Sequence, residues 1–225
     1  QHNMDKDKKI PRAAIVLSGC GVFDGSEIHE AVIALLCLQR GGARTEFFAP
    51  DVPQADCVNH LTGEPRKERR GVLEESARIA RGAVSPLSEF DAKKFDILVF
   101  AGGFGAAKTL STFARDGAEC SVEPSVERAI LSMRALGKKS AFLCISPVIA
   151  AKVLGGGVRL TIGDDPATAA AISAMGATHI KCAADSFVED SAQNVYSTPA
   201  YMLARNAAEV EAGVSAMVSK MLKTL

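Results

Sequence analysis

At 225 residues and 48% hydrophobic, the chain is long enough to bury a sizeable core and fits one large α/β domain better than two small ones. Lys plus Arg equals Asp plus Glu at 26 each; with two Tyr, no Trp and no dense basic block, this balance gives no electrostatic argument for nucleic acid. No apolar run approaches the ~18 residues of a membrane span.

The opening "QHNMDKDKKIPR" is polar, so 1–10 is expected to be a disordered tail or a cloning remnant and 11–225 a single domain. No apolar core of signal-peptide length follows the start. "AAIVLS" (13–18) reads as a first strand, and "SEIHEAVIALLCLQRGG" as a helix with Ser26 as its N-cap and glycines as its stop. "RTEFFAP" (44–50) is a second strand. The stretch 51–70 has two prolines and no clean period, a length of loop that in a compact domain more often serves as a lid or a functional segment. "VLEESARIARG" returns to helical period, "FDILVFAGG" (95–103) is a buried strand running into glycines, and "VERAILSMRALGKK" is a helix.

"SAFLC" (140–144) is the next strand, and "PVIAAKVLGGG" a helix with Pro147 at its first position. "VRLTIG", "DPATAAAISAMGA" and "THIKCAA" continue the alternation, "SFVEDSAQNVYSTPA" reads as a late hairpin, and 201–225 as a closing helix. Strands alternating with helices at this spacing predict a flavodoxin-like three-layer α/β sandwich, with a mostly parallel sheet covered on both faces and a small late β-hairpin. In such sheets the ligand site lies beyond the carboxyl ends of the strands, which singles out "LSGCGVFDGSE", "FAGGFGAAK" and "FLCISP".

Six scattered cysteines lack disulfide-framework spacing and suggest a reducing compartment. Cys144 stands where a strand turns sharply into a helix. That is nucleophile-elbow geometry, in which helix-terminal N–H groups would lower the thiol pKa. A buried structural thiol is the equally open alternative. The Ile145 N–H would face the same pocket as an oxyanion donor, with Gly103 N–H as the second. Glu27 and Glu30 share a face near the start of the first helix; either could carry protons in the cleft, and either could simply complement the helix dipole.

Other patterns fall short. "GGFGAAKT" has Ala107 where a phosphate loop has glycine, and "SGCGVFDGSE" has Asp24 where a dinucleotide fingerprint has its third glycine. Cys57-x-x-His60 and His179-x-x-Cys182 have zinc-like spacing, but the second lies on a strand whose alternation separates the two side chains, so no metal is expected. The charged run 64–70 reads as solvated surface.

Taken together, "LSGCGVFDGSEIHEA", "DCVNHLTGE", "GGFGAAK", "CISP", "RLTIG" and "STPAYMLA" resemble the class I glutamine amidotransferase-like (PfpI) superfamily, and within it the ElbB type, also called isoprenoid biosynthesis glyoxalase. The resemblance runs from about residue 13 to the end. It implies a cysteine nucleophile at Cys144 and an acid/base glutamate at Glu30, with Glu27 second, and oxyanion donors at the backbones of Gly103 and Ile145. The histidine that many members carry after the cysteine or at the next strand's exit is replaced here by Ile145 and "TIG", which argues against proteolysis and glutamine hydrolysis.

The activity implied is a cofactor-independent, glutathione-independent glyoxalase acting on a small aldehyde or dicarbonyl through a cysteine hemithioacetal. The alternative is a non-enzymatic redox-sensing or binding protein with an oxidisable cysteine. A homodimer with no cofactor, metal, nucleic-acid or membrane partner is expected, in the cytoplasm, or in the mitochondrial matrix if a eukaryotic presequence has been removed.

Overall fold

The computed structural model describes residues 9–225, so most of the expected tail at 1–10 lies outside the described residues; Lys9 and Ile10 are exposed coil, with Lys9 3.1 Å from Asp96. The strands are β1 (Arg12–Val16), β2 (Arg44–Ala49), β3 (Val84–Pro86), β4 (Ile97–Phe100), β5 (Lys139–Leu143), β6 (Arg159–Leu160), β7 (Thr178–His179), β8 (Val188–Asp190) and β9 (Val195–Thr198). The helices are α1 (Ile28–Arg40), α2 (Val72–Ile79), α3 (Phe104–Lys108), α4 (Phe113–Asp116), α5 (Pro124–Ala135), α6 (Pro147–Leu154), α7 (Pro166–Ala174) and α8 (Ala207–Lys223).

Seven strands form one sheet in the order β3-β2-β1-β4-β5-β9-β8, parallel throughout except for the antiparallel β8–β9 hairpin. Alternation along each strand divides the core in two. Ala13, Ile15, Ile97, Val99, Ala141 and Leu143 pack against α1 and α8, while Ala14, Val16, Leu98, Phe100 and Phe142 pack against α5 and α6. This is the flavodoxin-like sandwich that the alternating pattern predicts, with helices on both faces of a sheet buried on both sides.

Several elements differ from the sequence expectation. The first helix is capped by Glu27, whose carboxylate accepts the Glu30 N–H, and not by Ser26. Ser26 is buried behind the cap, where its hydroxyl accepts the Ser18 N–H at 2.8 Å. "VRLTIG" and "THIKCAA" do not join the main sheet; they pair only with each other, as the two-residue strands β6 and β7. The late hairpin is present as expected, as β8 and β9, and it occupies the main sheet with β9 beside β5.

The closing helix begins at Ala207, because Asn206 caps it and residues 200–202 form a separate 3-10 turn with Ala200 at φ 45°. The edge strand β3 and the short helices α3 and α4 were not foreseen. Each is five residues or fewer, too short for a period to register.

Candidate active site

Four strand exits converge at the carboxyl edge of the sheet: the loop after β1, the glycines after β4, the bend after β5 and the turn after β9. Strand β5 ends at Leu143, and Cys144 follows in the left-handed region at φ 62°. A residue with a Cβ rarely adopts that conformation, and such strain is held only when the surroundings over-determine it. Here the Cys144 N–H is bonded to the Thr198 carbonyl at 3.0 Å, and the buried Ser146 hydroxyl donates to the Leu143 carbonyl at 2.8 Å. Pro147 then starts α6 at its first position, where its missing N–H costs nothing.

Facing Cys144 is Glu30, on the first turn of α1 and fully buried. Its Oε2 accepts the Gly102 N–H at 2.9 Å and its Oε1 the Tyr201 N–H at 3.2 Å. Gly102 passes between the two side chains: a Cβ there would overlap the Glu30 carboxylate and the Cys144 Cβ, and would lie 3.1 Å from Sγ. Only glycine lets the β4 exit run this close.

Burial, and then the nearby Glu27, push the Glu30 carboxyl up to about 7, against hydrogen bonds from Tyr201, Cys144 and Gly102 that favour the charged form. Cys144 itself is pushed well above a free thiol, by burial and by Glu30. This corrects the expectation of a lowered thiol pKa. The backbone N–H groups of Gly103 and Ile145 act in the lowering direction, but burial and a neighbouring carboxylate outweigh them. The resting sulfur is therefore a thiol, set against a carboxyl that titrates at about 7.

The structure brings Cys144, Glu30 and the Gly103 and Ile145 N–H groups together. Among the described residues neither N–H has a backbone carbonyl partner, which leaves both free for an oxyanion. Glu27 is set apart as the helix cap, with its carboxylate committed to the Glu30 N–H at 2.7 Å. The sequence reading assigned no role to Gly102 or Tyr201 as donors to Glu30, nor to His29, whose Nδ1 lies 2.6 Å from the Tyr201 hydroxyl. Tyr201 is 171 residues from Glu30, and backbone donors leave no mark in side-chain identity.

The other candidates are engaged elsewhere. Lys108 Nζ donates to the Asp56 carboxylate at 2.8 Å and the Phe23 carbonyl at 3.0 Å, at the end of a five-residue helix, so the near-miss phosphate loop does not present its lysine. His60 Nε2 accepts the Phe23 N–H at 3.1 Å while its ring stacks on Phe23. His179 Nε2 accepts the Ile162 N–H at 3.2 Å, and burial lowers its pKa. The 51–70 segment packs across the loop after β1, held by the buried Asp24 carboxylate on the Val58 N–H at 2.8 Å.

No family model matches the chain. The chain is 47% identical over 223 residues to the human "Glutamine amidotransferase-like class 1 domain-containing protein 3, mitochondrial", covering 94% of this chain and 82% of that protein. It is 46% identical to the rat "ES1 protein homolog, mitochondrial", over 94% of this chain and 83% of that one. The chain belongs to the ES1 family of class I glutamine amidotransferase-like proteins.

A solved structure shares the fold. The crystal structure of an isoprenoid biosynthesis protein with amidotransferase-like domain from Ehrlichia chaffeensis superposes with a TM-score of 0.90 at 35% identity, over 95% of this chain and 98% of that one. Drosophila melanogaster DJ-1beta, at 16% identity and a TM-score of 0.55 over 96% and 95% of the two chains, shares the fold alone. This ES1-family member thus carries its buried Glu–Cys pair on a DJ-1/PfpI-like scaffold. Among the described residues no helix is long and apolar enough to cross a membrane.

Proposed function

We propose that this protein is a cofactor-independent glyoxalase of the ElbB type, converting glyoxal to glycolate and methylglyoxal to lactate through a hemithioacetal on Cys144. One observation carries the reading: the buried Glu30 carboxyl, its pKa raised to about 7, faces the buried Cys144 sulfur across Gly102, beside two N–H groups that have no backbone carbonyl partner among the described residues. A base with its pKa near the working pH is the kind that moves protons in both directions. Cys144 is only 8% exposed, which favours a reactant of a few atoms over a peptide.

The chemistry follows from these positions. Glu30 takes the Cys144 proton as the sulfur attacks one aldehyde carbon, and the resulting oxyanion forms against the Gly103 and Ile145 N–H groups and takes that proton back. Glu30 next removes the hydrogen from the carbon now bonded to sulfur, and the electron pair moves toward the neighbouring carbonyl to give an enediol. Returning the proton to the neighbouring carbon leaves the thioester of a hydroxy acid. Water adds to the thioester carbonyl, the sulfur leaves with a proton, and the hydroxy acid is released. One carbon is oxidised and its neighbour reduced, so no external oxidant enters. Among the described residues no histidine is bonded to the sulfur, and Glu30 serves every proton transfer.

The test is turnover of glyoxal in D2O followed by proton NMR. The parent protein should yield glycolate, with deuterium at its carbon only to the extent that the proton on Glu30 exchanges with solvent before its return, and Cys144→Ser should yield no glycolate. Equal turnover by the two would sink the proposal. The rival, a redox-sensing thiol, draws on the same N–H pair, which would hold an oxygen added to sulfur by peroxide; oxidation of Cys144 without any dicarbonyl turnover would favour it. A homodimer is part of the proposal and is checked by light scattering. So is a mitochondrial location, in keeping with the names of the rat and human relatives; imaging the tagged full-length precursor in its own cells tests it, and a cytosolic signal would contradict it.

A further inference from the structure

Tyr201 touches two consecutive residues of α1. Its backbone N–H donates to Glu30 Oε1 at 3.2 Å, and its hydroxyl lies 2.6 Å from His29 Nδ1, with the two rings tilted at 50°. The turn that carries it is a single 3-10 turn that follows Pro199 and opens on the buried Ala200 at φ 45°. A turn of that kind has little of its own to hold the next N–H on a target 171 residues away in the chain. The phenol–imidazole contact supplies a second point of attachment on the same helix.

We infer that His29 and Tyr201 form a clamp at the mouth of the site, positioning residues that keep the Tyr201 N–H on Glu30 and so keep this carboxyl available as a base. Neither is a catalytic residue, since neither side chain reaches the sulfur or the carboxylate. The groups facing Glu30 are Glu27 from the helix cap, the Cys144 thiol from the elbow, and the N–H groups of Gly102 and Tyr201 from the exits of β4 and β9. Burial and Glu27 favour the protonated acid; the three donors oppose them, with the Tyr201 N–H the largest of the three. Loosening it moves Glu30 toward the acid, which cannot take the thiol proton.

The inference rests on the Glu30–Cys144 pair but not on any particular reactant. The experiment is a titration of Glu30 by its carboxyl carbon-13 shift, assigned with Glu30→Gln. Tyr201→Phe and His29→Phe should each raise the Glu30 midpoint by ~0.5–1 pH unit, about half of what one hydrogen bond to a charged group contributes, because the N–H is loosened and not removed. The double variant should go no further than either single one. His29→Gln, whose amide oxygen can still accept from the phenol, should recover most of the shift.

An unchanged midpoint in the single variants would overturn the inference, even with a lower melting temperature, and so would shifts that add in the double variant. Failure of glyoxal turnover with these shifts intact would sink the proposed reaction and leave the clamp standing.

Discussion

Cys144 and Glu30 face each other across Gly102, and the pairing acts on the two proton affinities in opposite senses: it lowers that of Glu30 and raises that of Cys144. The sulfur keeps its proton until a reactant arrives. A nucleophile stored as a thiol is protected from casual alkylation and oxidation, both of which need the thiolate.

Glu30→Gln should therefore separate two readouts. Turnover of glyoxal should fall by ~10²–10⁴, the usual contribution of a positioned base. The alkylation midpoint of Cys144 should instead move to lower pH, because the carboxylate that held the proton on sulfur is gone. Peptide mass spectrometry after iodoacetamide across pH 6 to ~10 reads the second effect.

Stability should depend on pH through the same carboxyl. Burial raises Glu30 from 4.5 to about 7, so the folded state holds its proton more tightly than the unfolded chain does. That contribution is fully present below the unfolded value and is lost as pH rises through the folded one, a swing of about 3 kcal/mol. Melting curves of the parent and of Glu30→Gln should therefore diverge between pH ~5 and ~8, with the variant gaining on the parent at the higher pH.

Gly102→Ala tests the close approach of the β4 exit. Its Cβ would overlap both Glu30 and Cys144. Forcing the pair apart should cost ~1–3 kcal/mol and abolish turnover, while circular dichroism remains that of an α/β fold. Retained turnover would mean that the exit can shift without disturbing the pair.

Asp24→Ala should release the 51–70 segment. The buried Asp24 carboxylate holds the Val58 N–H, and the other tethers of this segment, Asp56 to Lys108, His60 to the Phe23 N–H and the Ala55 N–H to Thr109, are more exposed and weaker. Hydrogen exchange should quicken across 55–66, with the β-sheet core unchanged. Unaltered exchange in that segment would assign the hold to Lys108, His60 and Thr109.

Much of this architecture is legible in the residues, for physical reasons. "FLCISP" announces its bend because an apolar strand meets a proline that can only begin a helix. The layers are legible because Val, Ile and Leu alternate with 3.6-period segments. The state of the thiol is not. Donors at a helix start can be seen in a sequence, whereas desolvation depends on what the fold closes around the sulfur. Ser26 illustrates the same limit, since a serine before a helix is a cap by propensity, and only the tertiary structure assigns its hydroxyl to Ser18 and the cap to Glu27. The strands β6 and β7 have the right composition for the main sheet, but the hairpin of β8 and β9 takes the place beside β5.

That placement of β9 gives the site a history. The carbonyl that fixes the Cys144 bend belongs to Thr198, and the third donor to Glu30 to Tyr201, whereas the elbow, the glycines and α1 all lie in the first 145 residues. A chain emerging from the ribosome carries its cysteine for some fifty residues before the strand that fixes it exists. The centre is armed only once that strand and the turn after it have been made, so a product terminated before them would retain the thiol without its carboxylate held in place.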